Sequence, residues 1–192
     1  MGAMQRGDVL RALAEQRDGK IVVATMTALD AWRTLSPSNL NMSCTGFMGG
    51  ASGLGLGLAL SQPGLKVLVL DGDGSLLMQL GSLATIAGAE PHNLYHFLFH
   101  NGVYEVSGSQ PIPAEGKIDF AAMARAAGYR SSHRFDDLED FRTSITTLLD
   151  EQGPVFIELA IVPGGETLKG GGRPSPIAEE AKTLRAALTT GS

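Results

Sequence analysis

The chain has 192 residues, 43% of them apolar, enough for one compact unit with a well-covered core. Its net charge of −5 gives no electrostatic case for nucleic acid or an anionic membrane, so an anionic substrate would need local groups to attract it. The lone cysteine, Cys44, excludes an intramolecular disulfide framework and fits a reducing compartment, the cytoplasm; no apolar run is long enough for a membrane span, and Met1-Gly2-Ala3-Met4 lacks the pattern of a secretion signal.

Short apolar runs alternate with helix-like stretches. Residues 5–17 predict a helix with Val9, Leu10 and Leu13 on one face, ended by Asp18-Gly19. Lys20-Ile21-Val22-Val23-Ala24-Thr25 is a buried-type strand, residues 30–35 a helix stopped before Pro37, and residues 41–50 irregular. A helix of small residues follows at 51–61. Its run Gly53-Leu54-Gly55-Leu56-Gly57 has the wrong spacing for a dinucleotide fingerprint and suits close packing instead. Lys66-Val67-Leu68-Val69-Leu70 is the clearest strand; Asp71-Gly72-Asp73-Gly74 breaks it, and residues 75–88 predict one helix. Residues 93–100 form the next strand, and a Gly-, Ser- and Pro-rich loop covers 102–117. Helices are predicted over 119–127 and 136–151, the second with Asp136 as N-cap and Glu139 completing a capping box. Residues 155–162 are the last long strand, and a Gly/Pro-rich linker at 163–176 leads to a C-terminal helix. Buried strands separated by helices predict an α/β fold: a single three-layer domain over 1–192, with a mostly parallel sheet and helices on both faces. In such sheets ligands sit at the carboxyl ends of the strands.

Two oxygen-bearing side chains fall at such ends. Asp73 follows one predicted strand and Asn101 the next, with a helix between, a unit that can set them side by side. Mg²⁺ takes about six oxygens at roughly 2.1 Å, one or two from side chains and more from bound phosphates. Gly72 and Gly74 let the backbone approach a phosphate, and Gly74 and Ser75 open a helix whose N–H groups face an anion. Alone, Asp-Gly-Asp-Gly reads first as a strand-to-helix turn with an N-cap; the spaced Asn101-Gly102 favours the ion site.

Gly72-Asp73-Gly74-Ser75 with Asn101-Gly102-Val103-Tyr104 resembles the motif of enzymes that use thiamine diphosphate (ThDP), and Gly46-Phe47-Met48-Gly49-Gly50-Ala51-Ser52 resembles the segment before it. The run from Asn101 onward, Glu105-Val106-Ser107-Gly108-Ser109-Gln110 included, is similar to phosphonopyruvate decarboxylases and sulfopyruvate decarboxylase β subunits, and the likeness continues through Gly172-Arg173-Pro174. The resemblance implies Asp73 and Asn101 as Mg²⁺ ligands by side chain and Val103 by its carbonyl. It implies Gly72, Gly74, Ser75 and Tyr104 at the diphosphate, Met48 beneath the thiazolium, and the Gly46 carbonyl at the cofactor's amine. Glu105 and Ser107 stand where the substrate-side loop continues and are the catalytic candidates, with a solvated loop charge as the plain alternative for Glu105. His100, His133 and Arg173 are weaker candidates that suit core or surface roles.

The resemblance also implies a missing part. The glutamate that activates the cofactor belongs to a separate pyrimidine-binding domain, and no glutamate here stands in a matching context. The expectation is therefore a hetero-oligomer with a separate pyrimidine-binding subunit, decarboxylating a small anionic 2-oxoacid, 3-sulfopyruvate or 3-phosphonopyruvate, with a fragment of a longer enzyme as the alternative; isolated, the chain could pair with itself. Another ThDP decarboxylase or carboligase, such as an acetolactate synthase-like enzyme, and a non-catalytic subunit that keeps the fold stay open as alternatives.

Overall fold

A computed structural model describes residues 3–46, 48–164 and 176–190. Its elements run α1 (Arg6–Glu15), β1 (Ile21–Thr25), α2 (Met26–Leu35), β2 (Asn41–Cys44), α3 (Gly50–Ser61), β3 (Val67–Gly72), α4 (Asp73–Met78), α5 (Ser82–Ala89), β4 (Leu94–His100), β5 (Val103–Tyr104), a 3₁₀ turn (Glu105–Ser107), β6 (Gln110–Pro111), α6 (Phe120–Ala127), β7 (Ser131–Phe135), α7 (Leu138–Asp150), β8 (Val155–Ala160) and α8 (Ile177–Thr190). Six strands form a sheet in the order β2-β1-β3-β4-β8-β7, every pair parallel, and β5 and β6 make a small antiparallel hairpin. This is the expected α/β architecture.

Strand periodicity divides the core. Val22, Ala24, Leu68, Leu70, Phe97 and Ile157 pack under α1, α2 and α7, with Leu10, Trp32 and Phe141 above them. Ile21, Val23, Val67, Val69, Leu98 and Phe156 point the other way, under Leu56 of α3, Ile86 of α5, Phe120 of α6 and Leu184 of α8. Both faces are thus buried, which is why the central strands read as continuous apolar runs.

Several local expectations are corrected. Residues 41–44 are not irregular but form edge strand β2, and Ser131–Phe135 is an edge strand with no apolar run to announce it. Both are held by a single neighbour, β1 or β8. On β2, Glu180 of α8 accepts from the Ser43 N–H at 2.9 Å and from Arg33 at 2.5 Å, covering an edge donor. The single helix expected over 75–88 is two, α4 and α5, broken around Gln79. The N-cap of α7 is Asp137 rather than Asp136; its carboxylate accepts from the N–H groups of Glu139 and Asp140. Helix α2 begins earlier than expected, at Met26, and β3 runs on through Asp71 and Gly72. Most of the expected linker, residues 165–175, lies outside the described residues.

The Gly/Leu run does serve packing. A Cβ at Gly55 would sit 2.3 Å from Cγ2 of Val69, a fully buried β-branched side chain with one stiff torsion. Gly55→Ala should therefore destabilise by about 1–3 kcal/mol of overpacking, offset by up to ~1 kcal/mol of helix propensity. Urea unfolding of G55A, V69A and the double variant checks this: the double variant should lose less than the two singles added together.

Candidate functional site

The sheet changes winding direction between β1 and β3. From β1 the chain passes to α2 on one face, whereas from β3 it passes to α4 and α5 towards the other. A cleft opens there at the carboxyl edge, as expected for a topological switch point. Met26 and Thr27 line it after β1, Met48 after β2, Gly72 at the end of β3 with Asp73, Gly74 and Ser75 beyond it, and Phe99 near the end of β4 with Asn101, Val103, Tyr104, Glu105 and Val106 beyond it. The two halves of the sequence motif, 28 positions apart, thus meet in one place.

Asp73 is the centre of the cleft. It is 3% exposed. Its Oδ2 accepts from the Asn101 N–H at 2.9 Å and the Gly102 N–H at 2.7 Å, and its Oδ1 from the Gly74 N–H at 2.6 Å. Burial pushes this carboxyl above the ordinary aspartate range, while those three N–H groups and nearby His100 work the other way. A carboxylate offers about four lone-pair positions, so roughly one remains. Asn101 Oδ1 accepts from the Val103 N–H at 3.0 Å and keeps a second lone pair. Val103 is paired with Pro111, which has no N–H to give to the Val103 carbonyl. These are hard oxygens, few in number. Among the described residues no group of three His, Cys, Asp or Glu is arranged to hold a metal ion, so a cation here needs oxygens from a bound ligand as well.

The neighbouring loop is tied to this centre. Ser75 Oγ, 2% exposed as a residue, accepts from the Gly49 N–H at 3.0 Å. Gly49 has φ +87°, and a Cβ there would meet Gln79 Cβ at 2.7 Å, so glycine is required twice over. This contact holds Met48 at the cleft; Gly46, φ +93°, stays exposed. The Gly74 N–H is committed to Asp73 rather than free for an anion, which leaves Ser75 as the candidate donor of the pair.

Met26 and Thr27 were invisible in the sequence as site residues. Only the rule that strand ends line such clefts would have found them. Met26 has φ +51°, uncommon for a side chain of this size, at the first turn beyond β1.

The catalytic candidates are placed differently. Glu105 lines the cleft, but its carboxylate is bonded to Arg6 Nη2 at 2.6 and 2.7 Å and also accepts from the Gly164 N–H. Arg6 is there because Met4 bridges to Ile161 beyond β8, pinning the start of α1 at the carboxyl edge. Ser107 is exposed and does not line the cleft. His100 turns away from it: Nδ1 meets Glu158 at 2.8 Å and the ring packs edge-on against Phe120. His133 pairs with Glu151 on the edge strand. Cys44 is buried and burial raises its thiol pKa, a poor setting for a nucleophile. Arg173 lies outside the described residues.

Comparison with known proteins decides the family. Residues 21–159 match the family described as thiamine pyrophosphate enzyme, C-terminal TPP binding domain. The chain belongs to this family. Among its relatives in the ThDP family, phosphonopyruvate decarboxylase from Streptomyces viridochromogenes is 41% identical over 182 residues, covering 94% of this chain and 45% of that protein. The sulfopyruvate decarboxylase subunit beta from Methanococcus maripaludis is 30% identical over 167 residues, covering 86% of this chain and 88% of that subunit. The chain therefore spans less than half of the first relative and most of the second. Benzoylformate decarboxylase from Polynucleobacter necessarius shares the fold, with a TM-score of 0.69 at 21% identity over 84% of this chain and 34% of that one. Among the described residues, no helix is long and apolar enough to cross a membrane.

Proposed function

We propose that this chain is one domain, the diphosphate- and Mg²⁺-binding half of a ThDP-dependent 2-oxoacid decarboxylase acting on 3-sulfopyruvate or 3-phosphonopyruvate in the cytoplasm. A separate pyrimidine-binding subunit completes it in a hetero-oligomer. The observation that carries this reading is the buried Asp73 carboxylate, wrapped by the Asn101–Gly102 amides beside an open cleft. A relative named as the beta subunit of sulfopyruvate decarboxylase supports the separate partner.

The residues present fit the cofactor. A Cβ at Gly72 would meet nothing within 4 Å, and Gly72 lines the cleft, so the missing side chain leaves room there. Asp73 Oδ1, Asn101 Oδ1 and the Val103 carbonyl would hold Mg²⁺ together with diphosphate oxygens. Ser75 would donate to the diphosphate from its N–H and hydroxyl, and Tyr104 would wall it in. Met48 would support the thiazolium, and the Gly46 carbonyl would accept from the cofactor's amine. When bound, ThDP supplies a thiazolium that accepts the electrons released as CO₂ leaves. The chain's own work is to bind, orient and keep water from the reacting end. In this arrangement Glu105, bonded to Arg6, shapes the lip of the cleft.

Isothermal titration tests the reading, with this chain assembled with the protein encoded beside it and ThDP titrated in Mg²⁺ and then in EDTA. Binding lost in EDTA is expected; no binding in either buffer would move the non-catalytic reading to the front. Turnover of a 2-oxoacid panel by the complex then separates sulfo- and phosphonopyruvate from a carboligase's substrates.

The two motif glycines should separate in the same assay. At Gly74 a Cβ would lie 2.5 Å from the Tyr104 ring, so Gly74→Ala should displace the ring and weaken both stability and binding, the latter about 10–100-fold. Gly72→Ala adds a methyl to open space at an ordinary φ of −109°, so unfolding should shift by less than about 0.5 kcal/mol while ThDP affinity falls.

A further inference from the structure

Glu158 is the only charged residue in β8 and is 0% exposed, on an interior strand between β4 and β7. A buried carboxylate is weak evidence for stability, because apolar residues of similar volume often serve as well. Its contacts lead towards the cleft instead. Oε1 meets His100 Nδ1 at 2.8 Å, Oε2 accepts from the Ala121 N–H at 2.9 Å, and Arg134 Nε stands 3.7 Å from Oε1. His100 is the last residue of β4. Its other nitrogen, Nε2, lies 3.4 Å from Glu115, and its ring rests on Phe120 with centroids 5.1 Å apart. Glu115 in turn covers Gly102: a Cβ on that residue, at φ +76°, would fall 2.6 Å from the Glu115 carboxyl carbon. The residues that follow His100 are Asn101 and Gly102, the two whose N–H groups bond Asp73 Oδ2.

We propose that Glu158 is a positioning residue for the cofactor cleft, holding the His100 ring so that the Asn101–Gly102 turn presents its two amides to Asp73 and the Asn101 oxygen to the cleft. The His100 ring is gripped at both nitrogens and on one face, so the backbone that leaves it has one direction. Within the turn only the Asn101 Oδ1–Val103 N–H bond spans Gly102, a left-handed glycine with no side chain of its own, so the grip on His100 adds a second anchor. Partners that orient a metal ligand from behind act in this way, and their loss commonly weakens metal affinity by roughly 10–100-fold. The ligand part of this inference rests on the cofactor reading above; the backbone part does not.

The test uses the full chain with two variants. His100→Phe keeps a ring over Phe120 and removes both nitrogen contacts; Glu158→Gln removes the charge. Amide hydrogen exchange by NMR is measured without cofactor, and ThDP affinity is measured in the assembled complex over a range of Mg²⁺. The expected result is exchange about tenfold faster or more at Asn101 and Gly102, with Val69 in β3 and Phe97 in β4 unchanged. Mg²⁺-dependent ThDP affinity should fall in step, by roughly 10–100-fold. Unchanged exchange at the turn overturns the proposal, and so does a loss of protection spread evenly over the sheet, which would mark a merely structural role. If Glu158→Gln fails to fold, His100→Phe decides alone. If the unaltered complex binds no ThDP, the cofactor reading fails, and the exchange at Asn101 and Gly102 still decides whether the turn is held from Glu158.

Discussion

Asp73→Asn should lower Mg²⁺-dependent ThDP affinity of the assembled enzyme by at least about 100-fold. The substitution removes the one carboxylate among the proposed cation ligands and keeps a single oxygen in nearly the same volume. It also keeps an acceptor for the Asn101 and Gly102 amides, which bond Oδ2, while the Gly74 N–H, which bonds Oδ1, loses its partner. A stability cost of about 1–3 kcal/mol should therefore accompany the loss of binding. Asp73→Ala is the harsher variant, because it strips the acceptor from three backbone donors at once, two of them in the turn that carries Asn101. Alanine would confuse a lost ligand with a collapsed turn; asparagine separates them. Calorimetric titration in Mg²⁺ and EDTA, with a urea curve for each variant, measures both effects. Wild-type affinity in Asp73→Asn would sink the metal assignment.

Glu105→Ala should destabilise the chain by about 3 kcal/mol, which at this size is a fall in Tm of roughly 6–12 °C. The Arg6 and Glu105 side chains are only 10% and 13% exposed, so neither is freely solvated once its partner is gone. Among the described residues, Arg6 Nη2 would keep only the Gly164 carbonyl at 3.0 Å, and Arg6 Nε is already buried without a partner. Removing both charges together is a different experiment. Arg6→Leu with Glu105→Leu leaves no unpaired ion and should recover most of the lost stability, since the penalty lies in stranding one charge. The same series decides the role of Glu105. A proton-transferring group would lose kcat in Glu105→Ala with little change in Tm. The clasp seen here requires the reverse order: Tm falls first, and activity follows from the loosened lip.

The predicted strands and helices that proved correct share one property: their signal is local. Ile21–Thr25, Val67–Gly72 and Leu94–His100 are buried on both faces, so continuous apolar runs mark them. The pair Asp73 and Asn101 was legible because glycines and strand ends surround both, and a strand–helix–strand unit sets such ends side by side. Edge strands β2 and β7 carry no such mark. Asn41–Cys44 and Ser131–Phe135 are short and partly polar, and only the ladder offered by one neighbour makes them strands. Residues 75–88 have helical composition throughout, yet the packing of Gly49 against Gln79 accompanies a break that propensity does not foresee.

Residue type and spacing within one supersecondary unit were enough for the fold class, the family likeness and the meeting of Asp73 with Asn101 at neighbouring strand ends. Tertiary structure alone decided what the charged groups do. Glu105 meets Arg6 across 99 positions and Glu158 meets His100 across 58. Whether a carboxylate faces substrate, another charge or a neighbouring backbone depends on which distant segment the sheet order brings to the same edge, and no local pattern encodes that choice.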